Sequence, residues 1–127
     1  MISLIFSLHN TEKIQLITDS VRASGMPDGE YKLGDLTFHV KNGEARLPSG
    51  ALAGSTLQFN QAFANVFETT GYALSDLVKT TSWNQAQSLN LPGIGKIAYG
   101  YAADLVVLSG DFNVQKVFVN GDLRFSL

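Results

Sequence analysis

The opening residues Ile2, Leu4, Ile5, Phe6 and Leu8 crowd apolar side chains together, and period alone does not separate a short buried helix from a strand there. The run Ile14-Gln15-Leu16-Ile17-Thr18-Asp19 is apolar or β-branched at four positions and stops at a carboxylate, which predicts a short buried strand ending at Asp19. Ser24-Gly25-Met26-Pro27-Asp28-Gly29 is dense in turn formers. Alternation follows. Tyr31, Leu33, Leu36, Phe38, Val40, Ala45 and Leu47 are interrupted by Gly34-Asp35 and Asn42-Gly43, which predicts an antiparallel meander over about residues 30 to 48. His39 falls on the face opposite Phe38 and Val40, as a solvent-facing or hydrogen-bonded strand histidine.

Residues 48–56 are small and loop-like. Leu57, Phe59, Ala62, Phe63, Val66 and Phe67 then recur at helical spacing, with Ser55 or Thr56 as N-cap and Gly71 as C-cap. Short helices are expected at 76–81, capped by Ser75 with Leu77 and Val78 buried, and at 83–89. Strands are expected at 103–108, 114–119 and 122–125, the last two joined by the hairpin signal Asn120-Gly121.

Composition narrows the function classes. The 127 residues are 45% hydrophobic and 16% charged, which fits one globular domain. A net charge of -2 offers no basic field for nucleic acid. Cysteine is absent, and His9 and His39 are the only histidines, so a closed zinc site built from this chain alone is not expected. No apolar run reaches the roughly 18 residues of a membrane span. The N-terminus lacks the basic region of a signal peptide, and a cytoplasmic location is expected.

Asp19 is the leading chemical candidate. Carboxyl ends of strands collect catalytic groups in α/β proteins. The competing reading is a turn cap on a nearby amide such as that of Val21. Leu52-Ala53-Gly54-Ser55 opens a helix, where free amides suit an anionic or hydroxyl-rich ligand, or where small residues serve packing alone. Gly93-Ile94-Gly95 with Gly100 lacks the strand-before, helix-after context of a dinucleotide site. Trp83-Asn84-Gln85, Asn60 and Asn65 offer amides but form no constellation.

Leu16-Ile17-Thr18-Asp19-Ser20 with Gly25-Met26, then Leu52-Ala53-Gly54-Ser55-Thr56-Leu57, then residues 95–108 ending in Ala103-Asp104-Leu105-Val106-Val107-Leu108, resemble in order the C-terminal third of the N-acetylglucosamine-6-phosphate deacetylases of the amidohydrolase superfamily. The third stretch names only the superfamily; the first two point to the deacetylase branch. The resemblance implies an α/β chain containing the end of a (β/α)8 barrel (strand eight, the following helices and a β-hairpin insertion) over residues 1–92. It implies the C-terminal strands of a small β-sandwich over residues 93–127. It further implies that Asp19 is the catalytic acid/base and that Leu52, Ala53 and Gly54 lie along the bound amino sugar.

The family's metal ligands, a glutamate and two histidines holding zinc or iron, fall upstream of strand eight, so this chain is expected to bind no metal and to be inactive alone. Met1 corresponds to the region of the seventh crossover helix, as in an excised piece or a truncated reading frame. Unpaired edges over residues 14–18 and 103–125 lead to an expected homo-oligomer. The alternative reading is a non-catalytic α+β oligomerisation or binding module. Neither nucleic acid nor membrane is expected as a partner.

Overall fold

A computed structural model describes residues 1–127. Its elements are two antiparallel sheets and several short helices, and the chain divides into two compact units, one of residues 17–62 and one of residues 1–16 with 63–127.

In the unit of residues 17–62 the alternating pattern becomes a four-stranded sheet of β1 (Gly29–Leu33), β2 (Leu36–Lys41), β3 (Glu44–Arg46) and β4 (Leu52–Gly54), paired in sequence order. Phe38 and Val40 point inward and are buried with Ala45, Val21 and Ala23, while Tyr31, Leu47 and Ala53 pack at the edge of this cluster. His39, between them in sequence, faces out, with Nε2 3.2 Å from the Glu30 carboxylate across the β1–β2 pair. The expected meander is present at its expected place. It is longer than expected by β4, because Leu52–Gly54, read as loop, pairs with β3 through a register shift at Ala45/Arg46. Three small or exposed residues carry too little apolar contrast to register as a strand.

The predicted strand ending at Asp19 does not form. Residues 14–19 carry no regular secondary structure, Ile14 being extended and Asp19 left-handed, and pairing is limited to one isolated parallel bridge between Ser20 and Ser55. The main-chain groups of the earlier part are satisfied from another direction. Leu16 N–H donates to Thr80 O at 2.8 Å. The Asn84 amide donates to Thr11 O and Ile14 O, both at 2.6 Å, and the Gln85 amide to Leu16 O at 3.0 Å and Thr80 O at 2.6 Å. Side-chain amides thus do for the carbonyls of residues 11, 14 and 16 what a neighbouring strand would do, although of residues 11–16 only Thr11 is buried and the expected burial of the run is not realised.

In the other unit, α1 (Ile2–Leu8) resolves the opening segment as helix. It contributes Phe6 to a core with Phe63, Val66 and Leu77, flanked by Ile14, Leu16, Phe67, Leu108 and Phe112. The helix α2 (Phe59–Thr70) starts later than Ser55 or Thr56 would place it. Instead of capping it, Ser55 Oγ accepts from Leu57 N–H at 2.9 Å and closes a turn ahead of the helix. Gly71 ends it as expected, with φ 67° and its N–H on Phe67 O at 3.0 Å.

The helix expected at 76–81 is divided into α3 (Leu74–Leu77), preceded by Ala73, and a 3₁₀ turn over Val78–Thr81. Thr80 and Thr81 hydroxyls each return to the carbonyl three residues back, at 2.7 Å, which favours the tighter turn. Ser75 lies inside α3 and does not cap it, and Val78 is 49% exposed where burial was expected, whereas Leu77 is fully buried. α4 (Trp83–Ser88) follows.

A three-stranded antiparallel sheet, β5 (Leu105–Leu108), β6 (Val114–Val119) and β7 (Asp122–Ser126), completes this unit. β5 starts two residues later than expected; β6 and β7 lie where the sequence placed them, turning at Asn120-Gly121 with φ of 51° and 84°. Phe112 reaches the core from the β5–β6 loop at φ 60°, its ring 5.6 Å from that of Phe63 and 5.4 Å from that of Phe67.

Candidate functional site

The chemistry-bearing residues of the sequence meet in the unit of residues 17–62. Asp19 ends the extended segment in a left-handed conformation, φ 51°, which Asp tolerates better than most residues. Its main chain is fixed by the loop that follows β4. Ser55 N–H donates to Asp19 O at 3.2 Å, and Val21 N–H donates to Ser55 O at 2.8 Å. Ser20 Oγ donates to Leu57 O, and Ser24 Oγ to Thr56 O, both at 2.9 Å. Residues 19–24 and 54–57 are therefore stitched together along one line.

Gly54 sits at the tightest point of that stitching. A Cβ placed there would lie 2.6 Å from Val21 Cγ1 and 3.6 Å from Asp19 O, and φ at this position is 153°. Only glycine lets the two chain segments come this close.

A surface depression of about 680 Å³ results. Asp19, Leu52, Ala53 and Gly54 all line it, together with Gly43 from the β2–β3 turn and Glu44 at the start of β3. Leu52 is exposed and Ala53 and Gly54 are half-buried. The Val21 amide, which the turn-cap reading offered to the Asp19 carboxylate, is taken by Ser55 O. The carboxylate is exposed and free of hydrogen bonds and ion pairs, so it is available to a ligand in the depression.

Glu44 and Gly43 were not candidates in the sequence. Local spacing does not connect them with Asp19. They arrive through the pairing of β3 with β4, where Ala45 lies opposite Gly54. Thr56 Oγ1 also donates to Gly43 O and ties the turn to the same loop. Asn84 and Gln85, which formed no constellation in the sequence, serve the main chain of residues 11–16 instead.

Metal ligation does not fit the residues present. No cluster of three or more His, Asp or Glu side chains comes together anywhere in the chain. His9 follows α1 in the other unit, and His39 is occupied with Glu30 on the outer face of the meander. Of the glycines at 93, 95 and 100, Gly95 is the one that close packing requires. A Cβ on Gly95 would lie 3.0 Å from Ala86 Cβ and 3.1 Å from Ser82 O, and Lys96 Nζ sits 4.6 Å from the Trp83 ring and 4.7 Å from that of Tyr101. No helix is long and apolar enough to cross a membrane.

Known proteins are similar to this chain in sequence and fold. The chain is 39% identical over 123 residues to an N-acetylglucosamine-6-phosphate deacetylase of Lysinibacillus sphaericus, a match covering 97% of this chain and 32% of that protein. It is 37% identical over 113 residues to a putative N-acetylgalactosamine-6-phosphate deacetylase of Escherichia coli K12, covering 88% of this chain and 68% of that one. The crystal structure of N-acetylglucosamine-6-phosphate deacetylase from Thermotoga maritima superimposes with a TM-score of 0.92 at 42% identity, covering 100% of this chain and 35% of that one. The chain thus spans about a third of the length of the Lysinibacillus and Thermotoga proteins. Residues 8–124 match the Amidohydrolase family, and the chain belongs to that family.

Proposed function

We propose that this chain is the C-terminal third of an enzyme that hydrolyses the acetamide of N-acetylglucosamine 6-phosphate to glucosamine 6-phosphate and acetate. Asp19 is its general acid/base, and Leu52, Ala53 and Gly54 lie along the sugar. On this reading residues 1–92 belong to the end of a (β/α)8 barrel, where the segment before Asp19, which pairs with no strand in this chain, takes the place of strand eight beside strands of the longer enzyme, and residues 93–127 belong to a β-sandwich. The observation that carries the proposal is the convergence of an unengaged Asp19 carboxylate with residues 52–54 on one depression.

The chemistry asked of Asp19 is a proton relay. Water adds to the acetyl carbonyl carbon and gives its proton to the Asp19 carboxylate. The acid so formed returns that proton to the amide nitrogen as the C–N bond breaks, leaving amine and acetate. A positioned acid/base of this kind contributes about 10²- to 10⁴-fold.

Amidohydrolases are generally metal-dependent. The residues here do not supply a metal site, so a zinc or iron ion belongs to the upstream part of the longer enzyme. The chain alone is accordingly inactive and self-associates through its unpaired edges, and the enzyme works in the cytoplasm.

The test replaces the matching third of the Thermotoga maritima enzyme with this chain and follows acetate release from both N-acetylglucosamine 6-phosphate and N-acetylgalactosamine 6-phosphate. Turnover of the first sugar is expected in the chimera and none from the isolated chain, with or without divalent metal. Asp19→Asn in the chimera is expected to lower turnover by about 10²- to 10⁴-fold. Near-normal turnover in that variant removes Asp19 from the reaction, and preference for the second sugar reassigns the substrate.

A second reading is a non-catalytic oligomerisation or binding module. It is favoured by the β5–β7 sheet, where Val106 and Val107, adjacent residues on opposite faces, are 58% and 44% exposed. A compact, inactive monomer in sedimentation excludes its oligomerisation form.

A further inference from the structure

The chain carries two Asn-Gly turns that are near copies of each other. Asn42-Gly43 joins β2 to β3 with φ of 51° and 76°; Asn120-Gly121 joins β6 to β7 with φ of 51° and 84°. In each turn the asparagine N–H is held by an aspartate carboxylate, Asn42 by Asp28 at 2.9 Å and Asn120 by Asp104 at 2.8 Å. All four turn residues are exposed.

The turns differ at the glycine nitrogen. Gly121 N–H donates to Ala103 O at 2.9 Å. Gly43 N–H has no such partner, and nothing lies within 4 Å of where its Cβ would be.

That nitrogen is the nucleophile when an Asn-Gly pair cyclises without an enzyme. We propose that Asn42 is a site of spontaneous deamidation and isomerisation, and that its twin Asn120 is shielded by the Gly121–Ala103 hydrogen bond.

The Gly43 nitrogen adds to Asn42 Cγ and forms the new C–N bond of a cyclic imide. The side-chain nitrogen leaves as ammonia, taking up the proton that Gly43 loses. Water then opens the imide at either carbonyl, giving aspartate or isoaspartate. One amide and one water become one carboxylic acid and one ammonia, and nothing is oxidised or reduced. Glycine lacks the Cβ that obstructs this approach in other residues, and asparagine is among the thermolabile residues for this reason. At position 121 the same attack first requires breaking a hydrogen bond.

The location gives the reaction a consequence. Gly43 and Glu44 line the depression that holds Asp19, and Gly43 O accepts the Thr56 hydroxyl. Isoaspartate lengthens the main chain just before Gly43, and either product adds a negative charge beside the depression. On the substrate reading above, that charge opposes a phosphorylated sugar; the rates of the two turns do not depend on that reading.

The experiment incubates the purified chain at mildly alkaline pH and maps its peptides by mass spectrometry over time, natively and in denaturant. Natively, acid is expected to accumulate at Asn42 about five-fold faster than at Asn120, the factor that one net hydrogen bond of about 1 kcal/mol represents. In denaturant, where both turns are lost, the two rates converge. Asn42→Gln removes the faster signal and assigns it. Equal native rates, faster conversion at Asn120, or no native conversion at Asn42 while the denatured chain converts fully would each overturn the proposal.

Discussion

The sheets β1–β4 and β5–β7 are both antiparallel and both turn on Asn-Gly pairs, yet they end in opposite situations. In β2 the apolar residues alternate with polar ones, and burial follows: Phe38 is fully buried and Val40 5% exposed, while Thr37 and His39 are not buried. In β5 four apolar residues run consecutively, so both faces are apolar, and Val106 and Val107 are both exposed. Every residue of β7 is exposed, including Leu123 at 53% and Phe125 at 45%. Alternation describes a sheet with one face to the core; a continuous apolar run describes a strand made to be covered on both sides. The first sheet finds its cover in Val21 and Ala23 of its own unit. The second carries apolar area that nothing in its unit covers. Strand formation and strand burial are thus separate decisions in these two sheets, and burial is not a local one.

This contrast can be broken by mutation. The largest loss is expected for Phe38→Ala, about 3–5 kcal/mol, because the ring is fully enclosed and the site cannot collapse around so large a void. Val107→Ala on the other sheet should cost less than about 1 kcal/mol in the same urea titration, since the side chain is already half in water. Comparable losses at the two positions would mean that β5 is covered in solution.

Gly54→Ala comes next. The added methyl meets Val21 Cγ1 at 2.6 Å, and about 1–3 kcal/mol of overpacking and backbone strain is expected. Gly110→Ala, beside the second sheet with nothing within 4 Å, should stay within about 0.5 kcal/mol. Thermal melts of the two variants separate the closely packed strand pair from the open one.

Asn84→Ala removes the donor from two carbonyls and should cost about 1–3 kcal/mol, with faster amide exchange at Leu16. The smallest stability effect is expected from Val106→Lys, within about 0.5 kcal/mol, but its effect on association is informative. A charge on an exposed sheet face suppresses edge and face pairing, so light scattering should show less self-association than the parent chain. Unchanged scattering would place any contact between copies elsewhere.

Much of the candidate site was legible in the order of residues. Asp19 at the end of an apolar run and the small residues 52–54 could be singled out one stretch at a time, and their resemblance to a deacetylase family joined them before any contact was known. Glu44 could not be found that way, since it reaches the depression through β3–β4 pairing across a register shift. The strand expected before Asp19 failed for a related reason. An apolar, β-branched run states a preference for extended backbone; a ladder also needs a partner, and here the partners of residues 11–16 are the side chains of Asn84 and Gln85 and the carbonyl of Thr80.

Local chemistry settled what depends on neighbours in the chain. The hairpin turns at Asn42-Gly43 and Asn120-Gly121, the alternation that turns Phe38 in and His39 out, and the stop at Gly71 all follow from φ preferences and side-chain period. Tertiary structure decided what depends on residues far apart in sequence. It recruited Leu52–Gly54 as a strand, brought Phe112 from a loop into the core, and closed the Asp19 segment against Gly54 at a distance no side chain would permit. Conformational preference is a property of a residue and its neighbours, whereas a hydrogen-bond partner or a covering side chain is supplied by whatever the rest of the chain brings within reach.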